Sequence, residues 1–196
     1  KNQGIKPTPS IGGVGLIKDY KKMISMGLKK VGNLILTIGK TEGHIDQSLF
    51  ARNILDEKNG PPPEVNLFNE KNNGETLLKL IENGFIKSAH DVSLGGIITA
   101  ISKMCIKGNK GINLKMSKNL INEIEYFFAE DQGRYLIEID QKDQKKVADI
   151  LNKNAVHFDE LGTINEDQLY INDKTKVTID ELKTSNTSWL TDYMNK

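Results

Sequence analysis

Cysteine, arginine and long apolar runs are all scarce in this sequence of 196 residues. The single cysteine, Cys105, excludes an intrachain disulfide and suits a reducing compartment. Because it lies beside Met104 and Ile106 in a helical pattern, we interpret it as a buried packing residue rather than a nucleophile. Apolar runs such as 33–38 are too short to cross a bilayer, and no secretory signal is visible. These features predict a cytoplasmic protein that does not enter a membrane.

A marked excess of charge is missing as well. The net charge is +1, so nothing favours nucleic acid or an anionic membrane as the main partner. Arginine occurs only at Arg52 and Arg134 among many lysines. A guanidinium group can bind carboxylate or phosphate through two parallel hydrogen bonds, which lysine cannot do. The two arginines therefore indicate either such sites or merely a lysine-rich background.

Two common kinds of site are not encoded. The segment "IGGVG" lacks the Lys-Ser/Thr that would complete a phosphate-binding P-loop. The three histidines, His44, His90 and His157, are scattered, and no pair of potential metal ligands has helical spacing. The sequence therefore predicts no metal site.

Strand and helix patterns alternate along the chain, which predicts an α/β (α+β) fold, a layered α/β/α domain with a mixed sheet. A short strand is predicted at the end of "PTPSIGGVGLI", and Ser117 is predicted to cap a helix that continues to Phe128. We expect the tail to pack Trp189 and Leu190 onto the body. The other predicted strands are 33–39, "IKSAHDVS", "GINLKM", 133–140, "VHFDELGTI", "QLYIND" and "KVTID". The other predicted helices are 46–60 with Asp46 as its cap, about 74–83, "LGGIITAISKMCIKG" with Gly108 past its end, and "QKDQKKVADILNKN".

Three polar loops hold the residues that could bind a ligand. In "SAHDVSLGG" the two glycines would let a phosphate approach the free N–H groups of a helix N-terminus, or would only allow close packing. In "FFAEDQGRYLIEI" the carboxylates could hold a metal ion or a ribose hydroxyl, Gln132 could bind a sugar or an amide, and Arg134 could bind a phosphate. These groups could also form only a solvated ion pair. The third loop, "GKTEGHIDQS", joins a strand to a helix, where α/β folds place ligands. We expect the three loops to converge at one edge of the sheet. The candidate ligand-binding residues are His44, Gln47, Ser48, Asp91, Ser93, Gly95, Gly96, Glu130, Asp131, Gln132 and Arg134.

The order of these motifs is more specific than any one of them. "PTPSIGGVGLI", "TIGKTEGHIDQSLF", "AHDVSLGGIITAISKM", "FAEDQGRYLIEI" and a late "LGTI" follow one another. The set resembles the C-terminal part of the phosphoribosylformylglycinamidine synthase family, within the aminoimidazole ribonucleotide synthetase-like superfamily. The resemblance implies that residues 1–30 are the end of a preceding N-terminal-type domain and its connection, and that residues 31–196 are the C-terminal synthetase-like domain. A start at Lys1, within a loop-like segment, also reads as a piece of a longer protein.

The resemblance also implies a function for the longer protein. Members of the family convert formylglycinamide ribonucleotide, ATP and ammonia into the amidine, ADP and phosphate, with Mg²⁺. The ammonia comes from a glutaminase subunit, and a small accessory subunit completes the complex. The family's catalytic histidine and Mg²⁺ ligands belong to N-terminal portions, so no catalytic residue is expected in this chain. The chain is then expected to support catalysis together with the preceding domains.

Two departures from the family pattern favour such a supporting role. Leu94 stands where an acidic residue is common, and Asp46 replaces a glycine. The alternatives are a non-catalytic scaffold, an auxiliary nucleotide-binding module, or another ATP-dependent member of the superfamily.

Overall fold

In the part of the chain that the structure describes, seven strands form one sheet and six helices accompany it. The computed structural model describes residues 9–116 and 122–195. Single turns of 3-10 helix cover Tyr20–Lys22 and Gln141–Asp143. The strands are β1 (Leu34–Ile38), β2 (Ile86–Val92), β3 (Gly111–Leu114), β4 (Arg134–Ile139), β5 (Phe158–Asn165), β6 (Gln168–Ile171) and β7 (Thr175–Thr178). The helices are α1 (Leu49–Asn53), α2 (Leu67–Glu82), α3 (Gly96–Gly108), α4 (Glu123–Phe128), α5 (Gln144–Lys153) and α6 (Ile179–Met194).

The sheet is mixed, as the sequence predicted. Its strand order is β2-β4-β1-β5-β3-β6-β7, and β3 with β6 is the parallel pair among antiparallel neighbours. Strand β1, near the centre, is buried on both faces, which explains its continuous apolar run.

Two apolar cores lie on opposite faces of the sheet. Because successive side chains of a strand point to opposite faces, Ile35 of β1 joins one core and Leu36 the other. The core around Ile35 includes residues of α3, α4 and α6, whereas the core around Leu36 includes residues of α2 and α5. The predicted α/β/α layering is therefore confirmed, and Cys105 is fully buried in the first core.

Helix boundaries around the loop 54–66 differ from the prediction. Helix α1 ends at Asn53, and Ser48, not Asp46, caps it, because Ile54 and Leu55 remain exposed and a longer helix would bury nothing more. Helix α2 begins seven residues earlier than predicted, at Leu67 rather than 74. Its first two turns lack an apolar face and were therefore missed.

The two ends of the chain also differ from the prediction. No strand forms near Leu16 within the described residues, and this segment is extended and exposed. The predicted packing of Trp189 and Leu190 is wrong, since both side chains are more than half exposed on α6. Trp189 instead stacks on Tyr193, with ring centroids 5.4 Å apart.

The start of α4 and the end of α3 also differ from the prediction. The predicted cap Ser117 lies outside the described residues, and Asn122 caps α4. Gly108 is the last residue of α3, not the residue beyond it, because Asn109 adopts the left-handed conformation that ends the helix.

Candidate functional site

Three neighbouring strands bring the three polar loops together. Strands β1 and β2 end at the edge of the sheet where the antiparallel strand β4 begins, since Ile38 pairs with Tyr135 and Val92 pairs with Arg134. The loops 39–48, 90–96 and 129–134 therefore meet at this edge, and we call them the polar rim. Their predicted convergence is confirmed by the hydrogen bonds between them.

Asp131 joins the loop before β4 to the loop after β1. Its carboxylate accepts the backbone N–H groups of Glu42, Gly43 and His44 at 3.0, 3.2 and 3.1 Å. The side chain is buried, so these bonds are shielded from water. Hydrogen bonds to an ionised carboxylate are stronger than neutral ones, and three of them fix the path of the loop. The oxygens of Asp131 are thus already occupied.

Glu130 joins two helix N-termini. Its Oε1 accepts the N–H of Leu49 at 2.7 Å and the N–H of Gly95 at 2.8 Å. These groups belong to the starts of α1 and α3, where unpaired N–H groups and the helix dipole favour an anion. The anion at the mouth of α3 in this structure is therefore the protein's own carboxylate.

Arg134 is a deeply buried charged side chain of the polar rim, with 1% exposure. Its guanidinium donates to the carbonyl of Asp131 (3.1 Å), to Thr41 Oγ1 (3.0 Å) and to the carbonyl of Ala129 (2.6 Å). Burial lowers the pKa of Arg134, and the nearby Asp131 carboxylate, 3.7 Å away, opposes this effect. The guanidinium group of Arg134 thus fixes the backbone of the loop before β4 and links it to Thr41 in the loop after β1.

The glycine pair of "SLGG" lies in a crowded part of the polar rim. Gly95 and Gly96 have φ angles of 82° and 69°, which side chains rarely adopt. A Cβ at Gly96 would lie 2.6 Å from the carbonyl oxygens of Phe127 and Ala129, and one at Gly95 would meet Thr99. Both glycines therefore permit a left-handed turn and close packing.

The candidates in the loop after β1 fix the following segment. His44 Nε2 lies 3.0 Å from the carbonyl oxygen of Pro61, and Gln47 Nε2 donates to two carbonyls in the range 58–60. Ser48 Oγ accepts the backbone N–H of Ala51 and thereby caps α1. All three side chains already have partners, and those of His44 and Gln47 hold the loop 54–66 against the polar rim.

Asp91, Ser93 and Gln132 remain exposed at the polar rim. Partial burial would raise the pKa of Asp91, but the hydrogen bond to His90 (2.9 Å), the histidine's charge and smaller contributions from its own backbone and Ser93 outweigh burial, so the pKa is lowered. The Nε2 of His90 is buried and has no hydrogen-bond partner among the described residues. These three exposed side chains are the candidates most accessible to a ligand.

A polar cleft of about 560 Å³ opens beside the polar rim. The side chains of Asn69 and Gln132 line it without a hydrogen-bond partner among the described residues. The start of α2 forms one wall of this cleft. The sequence did not predict this wall, because the predicted helix begins at about residue 74 rather than at Leu67. The lining residues are Lys40, Glu42, Gly43, His44, Pro63, Glu64, Asn66, Asn69, Glu70, Asn73, Asp131, Gln132 and Gly133.

Glu138 is a second buried carboxylate that sequence reasoning missed. Glu138 lies in the middle of β4 and is fully buried. Its carboxylate accepts four hydrogen bonds of 2.7–3.1 Å, which come from the backbone of Lys29 and Lys30 and from the side chains of Asn33 and Ser88. A glutamate within the apolar alternation "YLIEID" was the available signal. It fastens the segment before β1 to the sheet.

The described part of the chain was searched for membrane spans and for metal-binding clusters. None of its helices is both long and apolar enough for a transmembrane span. It also contains no group of three or more His, Cys, Asp and Glu side chains arranged to hold a metal ion.

Comparison with known sequences identifies the family of the chain. Residues 30–174 match the family described as "AIR synthase related protein, C-terminal domain". The chain is 70% identical over 194 residues to phosphoribosylformylglycinamidine synthase subunit PurL of Pelagibacter ubique, covering 99% of the chain and 27% of that protein. It is 38% identical over 192 residues to the PurL subunit of Bartonella bacilliformis, covering 98% and 26%. The chain thus spans about a quarter of the length of these relatives.

Solved structures show the same fold. The chain matches Thermotoga maritima PurL complexed with FGAR with a TM-score of 0.70 at 20% identity, covering 83% of this chain and 29% of that one. It matches thiamine-monophosphate kinase from Stenotrophomonas maltophilia with a TM-score of 0.53 at 12% identity, covering 76% and 52%. The chain therefore belongs to the AIR synthase related family, as a C-terminal domain homologous to that of PurL.

Proposed function

We propose that the protein carrying this chain is an ATP-dependent C–N ligase that converts formylglycinamide ribonucleotide and ammonia into formylglycinamidine ribonucleotide. The observation that carries this proposal is the 70% identity to a PurL subunit across 99% of the chain. Structures of T. maritima PurL complexed with FGAR, ATP, AMPPCP and ADP support the choice of substrate and nucleotide.

Within that enzyme the chain supports catalysis rather than performing it. The carboxylates of Glu130 and Asp131 and the guanidinium of Arg134 are bound to backbone groups and Thr41. A general acid or base must instead be within reach of a substrate proton. The polar rim is thus suited to holding a fixed surface against the catalytic domains.

The described residues do not fit a Mg²⁺ site. Magnesium prefers carboxylates arranged octahedrally with water, but the buried Asp131 has its oxygens occupied by N–H groups and no acidic cluster of three is present among the described residues. We therefore expect any Mg²⁺ used with ATP to be held by the preceding domains, as the family resemblance implies.

The exposed arm before β1 fits the proposed connection to a preceding domain. Ile11, Val14 and Leu16 are almost fully exposed, although large apolar side chains normally find cover. Residues 1–30 would connect this domain to that neighbour, and 31–196 would form the domain itself. The solved T. maritima structure PurLQS supports assembly with further subunits. From the family resemblance we expect these to be a glutaminase and a small accessory subunit, in a cytoplasmic complex.

The direct test is an assay of the full-length protein with formylglycinamide ribonucleotide and ATP. Ammonium salt as nitrogen donor tests the ligase alone, and glutamine with the glutaminase subunit tests the complex. We expect ADP formation that requires both the ribonucleotide and the nitrogen donor. If ATP is not consumed under either condition, the proposed reaction is wrong.

An auxiliary nucleotide site is the second candidate function. The polar cleft favours it, because its volume suits a small molecule and Asn69 and Gln132 have unused hydrogen-bonding capacity. Calorimetry with ADP, with and without Mg²⁺, tests it on the full-length protein and on its Gln132→Ala variant. Heat of binding that is weakened by the substitution supports a retained site, whereas an identical titration leaves the scaffold role.

A further inference from the structure

Three Asn-Gly pairs occur in the chain, at 59–60, 73–74 and 83–84. In such a pair the backbone nitrogen of glycine can attack the side-chain amide carbon of asparagine. A nitrogen–carbon bond forms, the amide carbon–nitrogen bond breaks, and ammonia leaves with the proton of the attacking N–H. Water then opens the resulting cyclic imide to aspartate or isoaspartate, so no oxidant or catalyst is needed. The reaction requires a backbone that lets the nitrogen reach the side chain.

The pair Asn59–Gly60 is the least restrained of the three. It lies in the irregular loop 54–66, and Asn59 is exposed. Neither the Asn59 side chain nor the Gly60 N–H has a hydrogen-bond partner among the described residues. Neither of the two reacting groups therefore has a hydrogen bond of its own to break before the nitrogen can attack.

The two other pairs are restrained. Asn73 is buried inside α2, where its amide donates to the carbonyl of Gly133 at 2.9 Å. At the end of the same helix, Asn83 donates to the carbonyl of Lys79 at 2.7 Å, and the Gly84 N–H donates to Ile81 at 2.9 Å. Helical backbone geometry and these hydrogen bonds hold the reacting groups apart.

We propose that Asn59 is a site of spontaneous deamidation, while Asn73 and Asn83 are protected by the fold. The site matters because Gln47 bonds to the carbonyls on both sides of it, at Lys58 (2.9 Å) and Gly60 (3.1 Å).

Isoaspartate lengthens the main chain between those two carbonyls, so the Gln47 bonds can no longer both form. The new carboxylate would also lie near Asp46, whose side chain is packed against Gly60. Like charges raise the energy of the modified loop. Deamidation therefore loosens the segment that leads to Pro63, which lines the polar cleft.

Peptide mapping by mass spectrometry tests the proposal on the native full-length protein during incubation in mildly alkaline buffer. We expect modification at Asn59, with Asn73 and Asn83 reacting roughly ten- to a hundredfold more slowly, since one or two hydrogen bonds must open first. Isoaspartate is confirmed by labelling with a protein isoaspartyl methyltransferase.

Two controls separate the fold from the sequence. In denaturant all three pairs should react at similar rates, because the restraints are gone. The Asn59→Gln variant should lose the methyltransferase label from the loop. An Asn59 that stays intact in the native protein, or three equal native rates, would overturn the proposal.

Discussion

Replacing Glu130 with alanine tests whether this carboxylate holds the polar rim together. The change removes the acceptor for the N–H groups of Leu49 and Gly95, which lie 2.7 and 2.8 Å from Oε1. A hydrogen bond to a charged group contributes about 1.5–3 kcal/mol, so two bonds predict a loss of about 3–6 kcal/mol. Since Glu130 is only partly buried, water can bond to some of the N–H groups that the substitution frees. We therefore expect the free energy of unfolding to fall by about 2–4 kcal/mol.

The assay is urea unfolding followed by circular dichroism, with the slope checked for two-state behaviour. Glu130→Gln is the informative partner, because its amide oxygen can accept both N–H groups while the charge is lost, so it should recover roughly half of the stability. Glu166→Ala, at an exposed turn, is the matched control and should stay within about 0.5 kcal/mol of the parent. If Glu130→Ala unfolds at the same urea concentration as that control, the carboxylate does not join the two helices.

Two further substitutions separate packing from ligand binding in the polar rim. Gly96→Ala should lower the free energy of unfolding by about 2–4 kcal/mol, from backbone strain plus the clash with two carbonyls. Gly32→Ala, which has a similar φ but open space, should show the strain alone, and equal losses would disprove the clash. Arg134→Lys should cost about 2–4 kcal/mol, because one ammonium group cannot keep all three donor contacts. Arg52→Lys, at an exposed position, should change the unfolding midpoint little, and a comparable loss there would contradict the role of Arg134.

Local patterns in the sequence were enough to predict the central layers of the fold. The apolar run at 33–39 predicted the buried strand β1, and the alternation at 133–140 predicted the strand β4, although not that the two pair. The pattern failed where polar residues carry the structure. The first turns of α2 contain Asn66, Asn69 and buried Asn73, whose partners are a cap or a distant carbonyl rather than an apolar face.

The meeting of the three polar loops was predictable, but the use of their side chains was not. Strand ends and family motifs placed Glu130 and Asp131 near the loop after β1. Which groups they bind depends on contacts more than 80 residues apart in the chain, such as Asp131 with Glu42. No local pattern encodes those distances. The glycines illustrate the same limit, because "SLGG" is equally suited to a ligand and to the backbone that packs against Gly96.

The hydrogen bonds that the charged groups of the polar rim already make limit the part these groups can take in a reaction. A catalytic group accelerates a step only when its interactions are stronger in the transition state than before it. The carboxylate of Asp131 already accepts three N–H groups in the resting protein, and freeing it would cost those bonds. Its interactions are therefore nearly constant along any reaction, which suits the positioning of a loop and not proton transfer. Gln132, Asp91 and Ser93, which remain exposed, are left to meet whatever molecule or domain lies opposite.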